Sequence, residues 1–237
     1  MIRIERANFG IAPGDTVIAE QITPEPVQLS REAARLHEAE RTLSASFVAP
    51  VRREAFLAGR IVAHAALEAA GDSRAYRMPI IRDDRGRPQP TWTDAPAVSI
   101  SHTKIRAVAA VALDRTCRAL GIDVEEIDAK RAEALVRMAT AKEERAILTE
   151  NDPMMLVSPI AMWCAREACV KAHGLDVGWF GSVLRLGKME PAEALVPHAE
   201  LSWNIEIHYE SRPPMHAHAW QSNGAVFAVS GRVAKTG

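Results

Sequence analysis

The most constraining feature of the chain is a short segment, residues 121–125, that reads Gly-Ile-Asp-Val-Glu. In an extended strand, alternate side chains share a face. Asp123 and Glu125 therefore point to one side, while the apolar residues between them point into a core. The glycine before them permits a close approach of the backbone to a neighbouring element. The segment predicts a strand with two carboxylates on the same face, where both can contact one ligand.

A second segment, residues 163–171, reads WCAREACVK and predicts a helix. Residues four apart share a helix face, so Trp163, Glu167 and Lys171 form one column. The rest of the segment is rich in Ala, Cys and Val, which indicates a mostly buried helix, and buried charges need partners or a metal. Packed against the carboxylate strand, this helix would complete a cluster of hard oxygen ligands beside an ammonium group. Such a cluster is typical of a site for Mg²⁺ and phosphate.

The overall composition narrows the classes of protein. A chain of 237 residues can bury a full core as one large domain or as two small lobes. Its 29 basic and 30 acidic residues give a net charge of -1, which argues against a general nucleic-acid binder or a polybasic membrane anchor. No apolar run is long enough to span a bilayer or to resemble a signal peptide. We expect a protein without membrane spans.

The three cysteines, Cys117, Cys164 and Cys169, form no CxxC motif and no secreted framework. This pattern predicts a reduced, cytoplasmic setting. Cys164 and Cys169 lie beside the site helix, but they lack a paired base. We expect them to be small buried packing residues and not nucleophiles.

The order of predicted elements is helices followed by strands, twice over. The predicted helices are residues 30–49, 51–70, 132–148 and 153–173. The predicted strands, besides the carboxylate strand, are residues 98–101, 107–113, 201–209, 215–221 and 225–233. This order indicates an α+β protein of two comparable lobes. We place them at residues 1–114 and 115–237, with the metal site in the second.

The two opening segments resemble the 4′-phosphopantetheinyl transferases of the surfactin and enterobactin synthetase type. The pattern of that family is G-(I/V)-D-(I/V)-E followed by W-(S/T)-x-K-E-A-x-x-K. Three further segments match it in the expected order: residues 56–60 (FLAGR), 86–88 (GRP) and 99–102 (SISH). The resemblance is closest to the branch of enterobactin synthetase component D. Each motif is weak alone, but five in order make a specific signature.

The resemblance implies both an activity and a fold. Such enzymes transfer the phosphopantetheine arm of coenzyme A to a serine of an acyl or peptidyl carrier protein, with Mg²⁺, and release adenosine 3′,5′-bisphosphate. The fold implied is a monomeric pseudo-dimer of two similar α+β lobes with coenzyme A in the cleft between them. The enterobactin-like branch points to siderophore or other secondary-metabolite synthetases as the pathway.

The resemblance also assigns roles to individual residues. Asp123, Glu125 and Glu167 correspond to the Mg²⁺ ligands, and Lys171 to the cation on the pyrophosphate. The positions that correspond to coenzyme A phosphate contacts are Arg87, Ser101, His102 and one or more of Arg52, Arg53 and Arg60. Arginine suits phosphate because its planar fork can bind two oxygens.

The proton of the attacking serine has more than one candidate acceptor. Glu167 is one, because it lies next to the metal. The other lies in residues 140–145, TAKEER. Alignment of Thr140 with the T-P-A-E of the branch points to Glu143, whereas spacing to Leu148 points to Glu144. Carboxylates at this position are also favoured simply by the dipole of a helix N-terminus.

Some features depart from the family pattern. Arg166 stands where the family has Lys, which keeps the charge but changes its reach and geometry. His216 and His218 have a spacing that could bind a metal, yet no third ligand is evident, and a half-exposed strand explains them better. The alternative functions are a Mg²⁺-dependent pyrophosphate-cleaving hydrolase and a non-catalytic relative that binds coenzyme A or a carrier protein.

Overall fold

The computed structural model describes residues 1–10, 14–23, 25–152, 154–176 and 183–233. These residues fall into two compact units. Unit 1 holds those of Met1–Asn8, Ala12–Leu120 and Val233–Gly237, and unit 2 holds those of Phe9–Ile11 and Gly121–Arg232. Each unit combines an antiparallel sheet with a long helix, and this confirms the predicted α+β class.

Unit 1 is built on a sheet of four antiparallel strands in the order β1-β2-β6-β5. Its elements are β1 (Ile2–Ala7), β2 (Thr16–Ile22), α1 (Pro26–Ala33), α2 (Glu38–Ala45), α3 (Pro50–Ala69), β3 (Ile80–Arg82), β4 (Pro88–Pro90), β5 (Val98–His102) and β6 (Arg106–Ala112). β3 and β4 form a separate two-stranded hairpin. The core lies between the sheet and α3, where apolar residues of β2, β5 and β6 meet Ile61, Val62 and Leu67.

Residues 30–49 form parts of two helices, so the prediction of a single helix there is wrong. The break lies before His37, whose side chain caps α2 by accepting a hydrogen bond from Ala39 N at 3.2 Å. Glu40 completes a capping box by accepting one from His37 N at 3.3 Å. Pro50 then occupies the first turn of α3, where its missing N–H costs nothing.

Unit 2 contains a sheet of five strands in the order β7-β11-β10-β9-β8. Its elements are β7 (Cys117–Glu126), which begins in unit 1, α4 (Ala129–Ala139), α5 (Lys142–Asn151), α6 (Ser158–His173), β8 (Leu184–Pro191), β9 (Leu201–Tyr209), β10 (Met215–Ser222) and β11 (Ala225–Val233). α6 packs on one face of this sheet, and its residues Ile160, Cys164 and Ala168 join the alternate apolar residues of β9, β10 and β11 in one core.

Two predicted helices of unit 2 are corrected. Residues 132–148 are divided between α4 and α5, because Thr140 and Ala141 are extended. The helix predicted for residues 153–173 begins at Ser158; its predicted first residue, Pro153, lies outside the described residues. The five strands β1, β2, β3, β4 and β8 were not predicted. No helix in the described part of the chain is long and apolar enough to cross a membrane.

Gly121 sets the distance between β7 and α6. A Cβ atom at this position would lie 1.9 Å from the carbonyl oxygen of Ala168 and 2.8 Å from the backbone nitrogen of Ala172. Only glycine allows the strand to contact the helix backbone so closely. The carboxylates that follow on β7 are thereby brought beside the polar side chains of α6.

Candidate functional site

The structure brings the four residues of the predicted carboxylate and lysine cluster together in unit 2. Lys171 of α6 donates from Nζ to Asp123 Oδ1 at 2.7 Å and to the carbonyl oxygen of Ile122 at 2.9 Å. The Asp123 side chain is buried, and that of Lys171 is 28% exposed. The ammonium group therefore ties the helix both to the backbone of β7 and to its first carboxylate.

The second carboxylate of β7 has a partner that the sequence did not reveal. Arg131, in the first turn of α4, donates from Nη2 to Glu125 Oε1 at 2.7 Å. Its guanidinium carbon also lies 5.4 Å from the centroid of the Trp163 ring, within the range of a cation–π contact. No sequence motif identified Arg131, because its contact with Glu125 depends on the path of the chain from β7 to α4. Only a basic residue shortly after the carboxylate strand could have hinted at it.

The electrostatics of the cluster show that its three carboxylates interact. The pKa of Glu167 is raised to about 7, chiefly by burial and also by the charges of Asp123 and Glu125, against the opposing effects of Lys171 and Arg131. Burial also raises the pKa of Glu125, against the opposing effect of Arg131. Removal from water and mutual repulsion both disfavour the charged forms. A divalent cation would relieve this crowding.

The donor set fits a hard divalent cation, because its members are carboxylate oxygens, and the thiol of Cys164, which interacts with Asp123, is buried. In the described residues, however, no group of three His, Cys, Asp or Glu side chains has its donor atoms gathered for a metal ion. Lys171 and Arg131 instead hold oxygens of Asp123 and Glu125. Asp123, Glu125 and Glu167 are thus close enough to affect one another but are held by protein cations.

The two remaining candidate bases have very different surroundings. Glu143 is exposed in the first turn of α5. Glu144 is buried, and its Oε1 accepts hydrogen bonds from Arg166 Nη2 at 2.5 Å and from Leu186 N at 2.6 Å. Its Oε2 accepts one from Ala141 N at 2.7 Å. Arg166, the departure from the family pattern, is thus the buried partner of Glu144.

The predicted contacts to coenzyme A other than Lys171 lie in unit 1. Arg60 is 5% exposed, and its guanidinium lies over the Phe56 ring at 4.7 Å. Its pKa is lowered to about 10 by burial, with Glu40 opposing this effect and Arg82 adding to it. Within the described residues, Nε and Nη2 of Arg60 make no hydrogen bond, although Nε lies 3.5 Å from a Glu40 oxygen. Arg60 is therefore a buried cation with two nitrogen atoms that could donate hydrogen bonds to a ligand.

The neighbouring arginines of α3 and of the β3–β4 hairpin are exposed. Arg52 lies 5.9 Å over the Phe47 ring, and Arg53 is exposed one residue later. Arg87 donates from Nε and from Nη2 to Asp83 Oδ2, each at 2.8 Å. Its planar fork is therefore held by a carboxylate in the turn of the hairpin.

Ser101 and His102 are consecutive residues of β5, so their side chains point to opposite faces of the sheet. Ser101 is buried and His102 is exposed. All six predicted coenzyme A residues other than Lys171 belong to unit 1, whereas the carboxylates belong to unit 2.

Most of the remaining candidate side chains, the histidines of β10 and the cysteines, are buried. His216 is exposed, but His218 is buried against Phe9 and Trp220, and its Nδ1 lies 3.0 Å from Asn204 Oδ1. The three cysteines form no disulfide and are buried, which confirms the prediction of burial for Cys164 and Cys169. Burial raises the pKa of the Cys169 thiol to about 12 and that of Cys164 well above its usual value. Both thiols stay protonated at neutral pH.

Comparison with known protein families identifies the class to which this fold and site belong. Residues 39–112 match the model of the 4′-phosphopantetheinyl transferase N-terminal domain, and residues 119–220 match that of the 4′-phosphopantetheinyl transferase superfamily. A search of curated proteins gave no match. The two adjacent matches cover more than half of the chain, which belongs to the 4′-phosphopantetheinyl transferase superfamily.

Membership defines the general chemistry of the protein. The superfamily consists of transferases that move phosphopantetheine to carrier proteins, with coenzyme A as the donor and typically a divalent metal ion. The carboxylate segment of β7, residues 121–125, and the helices α4, α5 and α6 all lie inside the second matched region. The match is to the superfamily as a whole and not to its enterobactin synthetase branch.

Proposed function

We propose that this protein transfers the 4′-phosphopantetheine arm of coenzyme A to a serine of an apo acyl or peptidyl carrier protein in a Mg²⁺-dependent reaction that releases adenosine 3′,5′-bisphosphate. One observation carries the proposal. Inside the region that matches the superfamily, β7 and α6 bring Asp123, Glu125 and Glu167 together with Lys171. A cluster of this kind suits a reaction at a pyrophosphate.

The carboxylates and the lysine take separate roles. Asp123, Glu125 and Glu167 would hold Mg²⁺, which when bound neutralises charge on the pyrophosphate oxygens. Lys171 places an ammonium group beside Asp123, where it can stabilise the negative charge of the departing bisphosphate. Since its Nζ also donates to a β7 carbonyl, the charge is fixed before the substrate binds.

Glu167 is the carboxylate best placed to accept the serine proton, directly or through water. It lies within the cluster, and its raised pKa of about 7 suits a general base near neutral pH. The oxygens of Glu144 are already engaged by Arg166, Leu186 and Ala141. Glu143 is exposed and makes a weaker candidate.

Unit 1 would supply the cations for the phosphate groups of coenzyme A. Arg60 supports this role, because it is buried and retains donors without a hydrogen-bond partner in the described residues. Arg87 and His102 are exposed at the hairpin and on β5, and Ser101 adds a hydroxyl. Arg52 and Arg53 contribute further positive charge at the start of α3. Phosphate is bound best by such arginine forks.

The resemblance to the enterobactin synthetase branch supports a siderophore or other secondary-metabolite synthetase as the source of the carrier protein. We also propose that the protein acts as a monomer in the cytoplasm, with residues 1–114 and 115–237 as its lobes. The lack of a secreted cysteine framework supports the cytoplasmic setting, and the family resemblance supports the monomeric pseudo-dimer.

The test is incubation with coenzyme A, Mg²⁺ and several apo carrier proteins, followed by mass spectrometry of the intact carriers. We expect a phosphopantetheine adduct that Asp123→Ala or Lys171→Ala abolishes. Lys130→Ala, at an exposed position of α4, is the control that keeps the activity. Cleavage of coenzyme A without a carrier would favour a hydrolase. Binding of coenzyme A with no adduct on any carrier would favour a non-catalytic relative.

A further inference from the structure

Arg131 is placed at the carboxylate cluster by the way α4 begins. The side chain of Asp128 caps this helix by accepting a hydrogen bond from Arg131 N at 2.8 Å. This cap fixes the backbone of Arg131 one turn after the carboxylate strand ends. From there its side chain reaches Glu125 Oε1 at 2.7 Å and lies over the Trp163 ring at 5.4 Å.

The cluster holds three carboxylates and two protein cations, and the two cations are anchored differently. Lys171 has a second, backbone acceptor in Ile122 O and is 28% exposed. Arg131 is 42% exposed and bonds to Glu125 through one nitrogen. A partly exposed ion pair of this kind is weak, because water can replace either partner. Arg131 is therefore the cation that can leave.

We propose that Arg131 is a displaceable counter-ion of Glu125, so that a bound divalent cation and the Arg131 guanidinium compete for this carboxylate. The inference rests on the metal site of the proposed function. Arg131 Nη2 lies 2.7 Å from Glu125 Oε1 and occupies one lone pair of that oxygen, so a metal ion bound to the same carboxylate would be repelled by the guanidinium charge beside it. Displacement costs little, since the guanidinium keeps the face of Trp163 and gains water. Arg131 thus lowers the affinity for the metal and sets the concentration at which the site fills.

The experiment measures binding of Mg²⁺ by calorimetry, and of Mn²⁺ by the electron paramagnetic resonance signal of the free ion, with the full chain and without coenzyme A or carrier. We expect Arg131→Gln to tighten binding by roughly 3- to 10-fold. In the Glu125→Gln background the same substitution should change the dissociation constant less than about twofold, since the contested carboxylate is gone.

The matched control is Arg137→Gln. Arg137 lies on the same helix, is 67% exposed and pairs only weakly with Glu133 at 3.3 Å. Its substitution removes the same formal charge without touching Glu125, and the dissociation constant should stay within about twofold of wild type. Arg131→Lys, which keeps the charge but shortens the reach, should bind metal with an affinity between those of wild type and Arg131→Gln.

Unchanged or weaker metal binding in folded Arg131→Gln would overturn the inference, as would equal tightening in the Glu125→Gln background. Circular dichroism confirms folding, and Arg131→Lys carries the test if Arg131→Gln does not fold. A wild-type protein that binds neither ion would overturn the proposed metal site together with this inference. Normal wild-type binding that is indifferent to Arg131 counts against the inference alone.

Discussion

Arg166 Nη2 lies 2.5 Å from Glu144 Oε1, and both side chains are buried. The same carboxylate accepts hydrogen bonds from the backbone nitrogens of Leu186 and Ala141. One buried ion pair therefore joins α6, β8 and the start of α5. Glu144 therefore stabilises the packing of α5, α6 and β8 in unit 2.

We expect Glu144→Gln to lower the free energy of unfolding by about 3–5 kcal/mol, because it leaves the Arg166 charge buried without its counter-ion. Glu143→Gln, at the exposed neighbouring position, should change it by less than about 0.5 kcal/mol. Urea denaturation followed by circular dichroism measures both. If Glu144→Gln kept full stability but lost transferase activity, the role of Glu144 would be catalytic.

Gly121→Ala should destabilise the protein by more than about 3 kcal/mol, since its Cβ would collide with backbone atoms of α6 at 1.9 and 2.8 Å. Gly59→Ala is the comparison: its Cβ would meet only the end of the Ile100 side chain, at 2.9 Å, and alanine favours a helix. We expect that variant to stay within about 1 kcal/mol of wild type. Thermal melts of the two variants provide the measurement. A wild-type melting temperature for Gly121→Ala would mean that β7 and α6 can separate freely.

Lys171→Gln should reduce the rate of carrier modification by roughly 100-fold or more, because it removes the fixed cation beside Asp123. Lys130→Gln removes the same charge from an exposed position and should leave the rate within about twofold. The rate is followed by mass spectrometry of the carrier at saturating coenzyme A. Equal rates for Lys171→Gln and wild type would remove Lys171 from the proposed mechanism.

The pH dependence of stability should carry a contribution from His218. Burial lowers its pKa from 6.5 to about 4, so the unfolded chain binds this proton more readily. The stabilisation is complete above pH 6.5 and is lost as the pH falls towards 4. Glu167 has the opposite effect on the pH dependence of stability. Its pKa is raised to about 7 in the folded chain, which therefore binds this proton more readily than the unfolded chain does. Only a comparison of variants therefore isolates His218.

We expect the unfolding free energy of wild type to lose on the order of 2 kcal/mol more than that of His218→Gln between about pH 7.5 and about pH 4.5. The substitution keeps a polar group facing Asn204, which lies 3.0 Å from Nδ1. Urea titrations at several pH values give the two curves. Parallel curves would show that His218 titrates alike in the folded and unfolded chains.

The sequence predicted the elements in which local periodicity and burial agree. The alternation of Asp123 and Glu125 and the column of Glu167 and Lys171 depend only on strand and helix geometry, and the structure brings these residues together. The strands β9 to β11 were predicted within a residue or two at each end, because their turns carry Pro-Pro and Asn-Gly. β2 is buried on both faces and gave no alternation to recognise.

The helix breaks were harder to predict, because apolar spacing continues across them. The break before α2 depends on His37 as a cap, and the break at Thr140 is fixed when Glu144 caps α5 and meets Arg166. The cap uses neighbouring residues, but the partner of Glu144 lies on another helix. A pairing between distant positions leaves no periodic signal in a single sequence.

The sequence by itself determined the superfamily motifs, from their order along the chain, and the α+β class, from the order of helices and strands. It also determined the identities of the clustered carboxylates and lysine, which follow from spacing along one strand and one helix. Only the tertiary structure decided which cation each carboxylate contacts: Lys171 for Asp123, Arg131 for Glu125 and Arg166 for Glu144. The same holds for the burial of Arg60. The physical reason is that ion pairing and desolvation depend on distances between separate elements, which packing alone fixes.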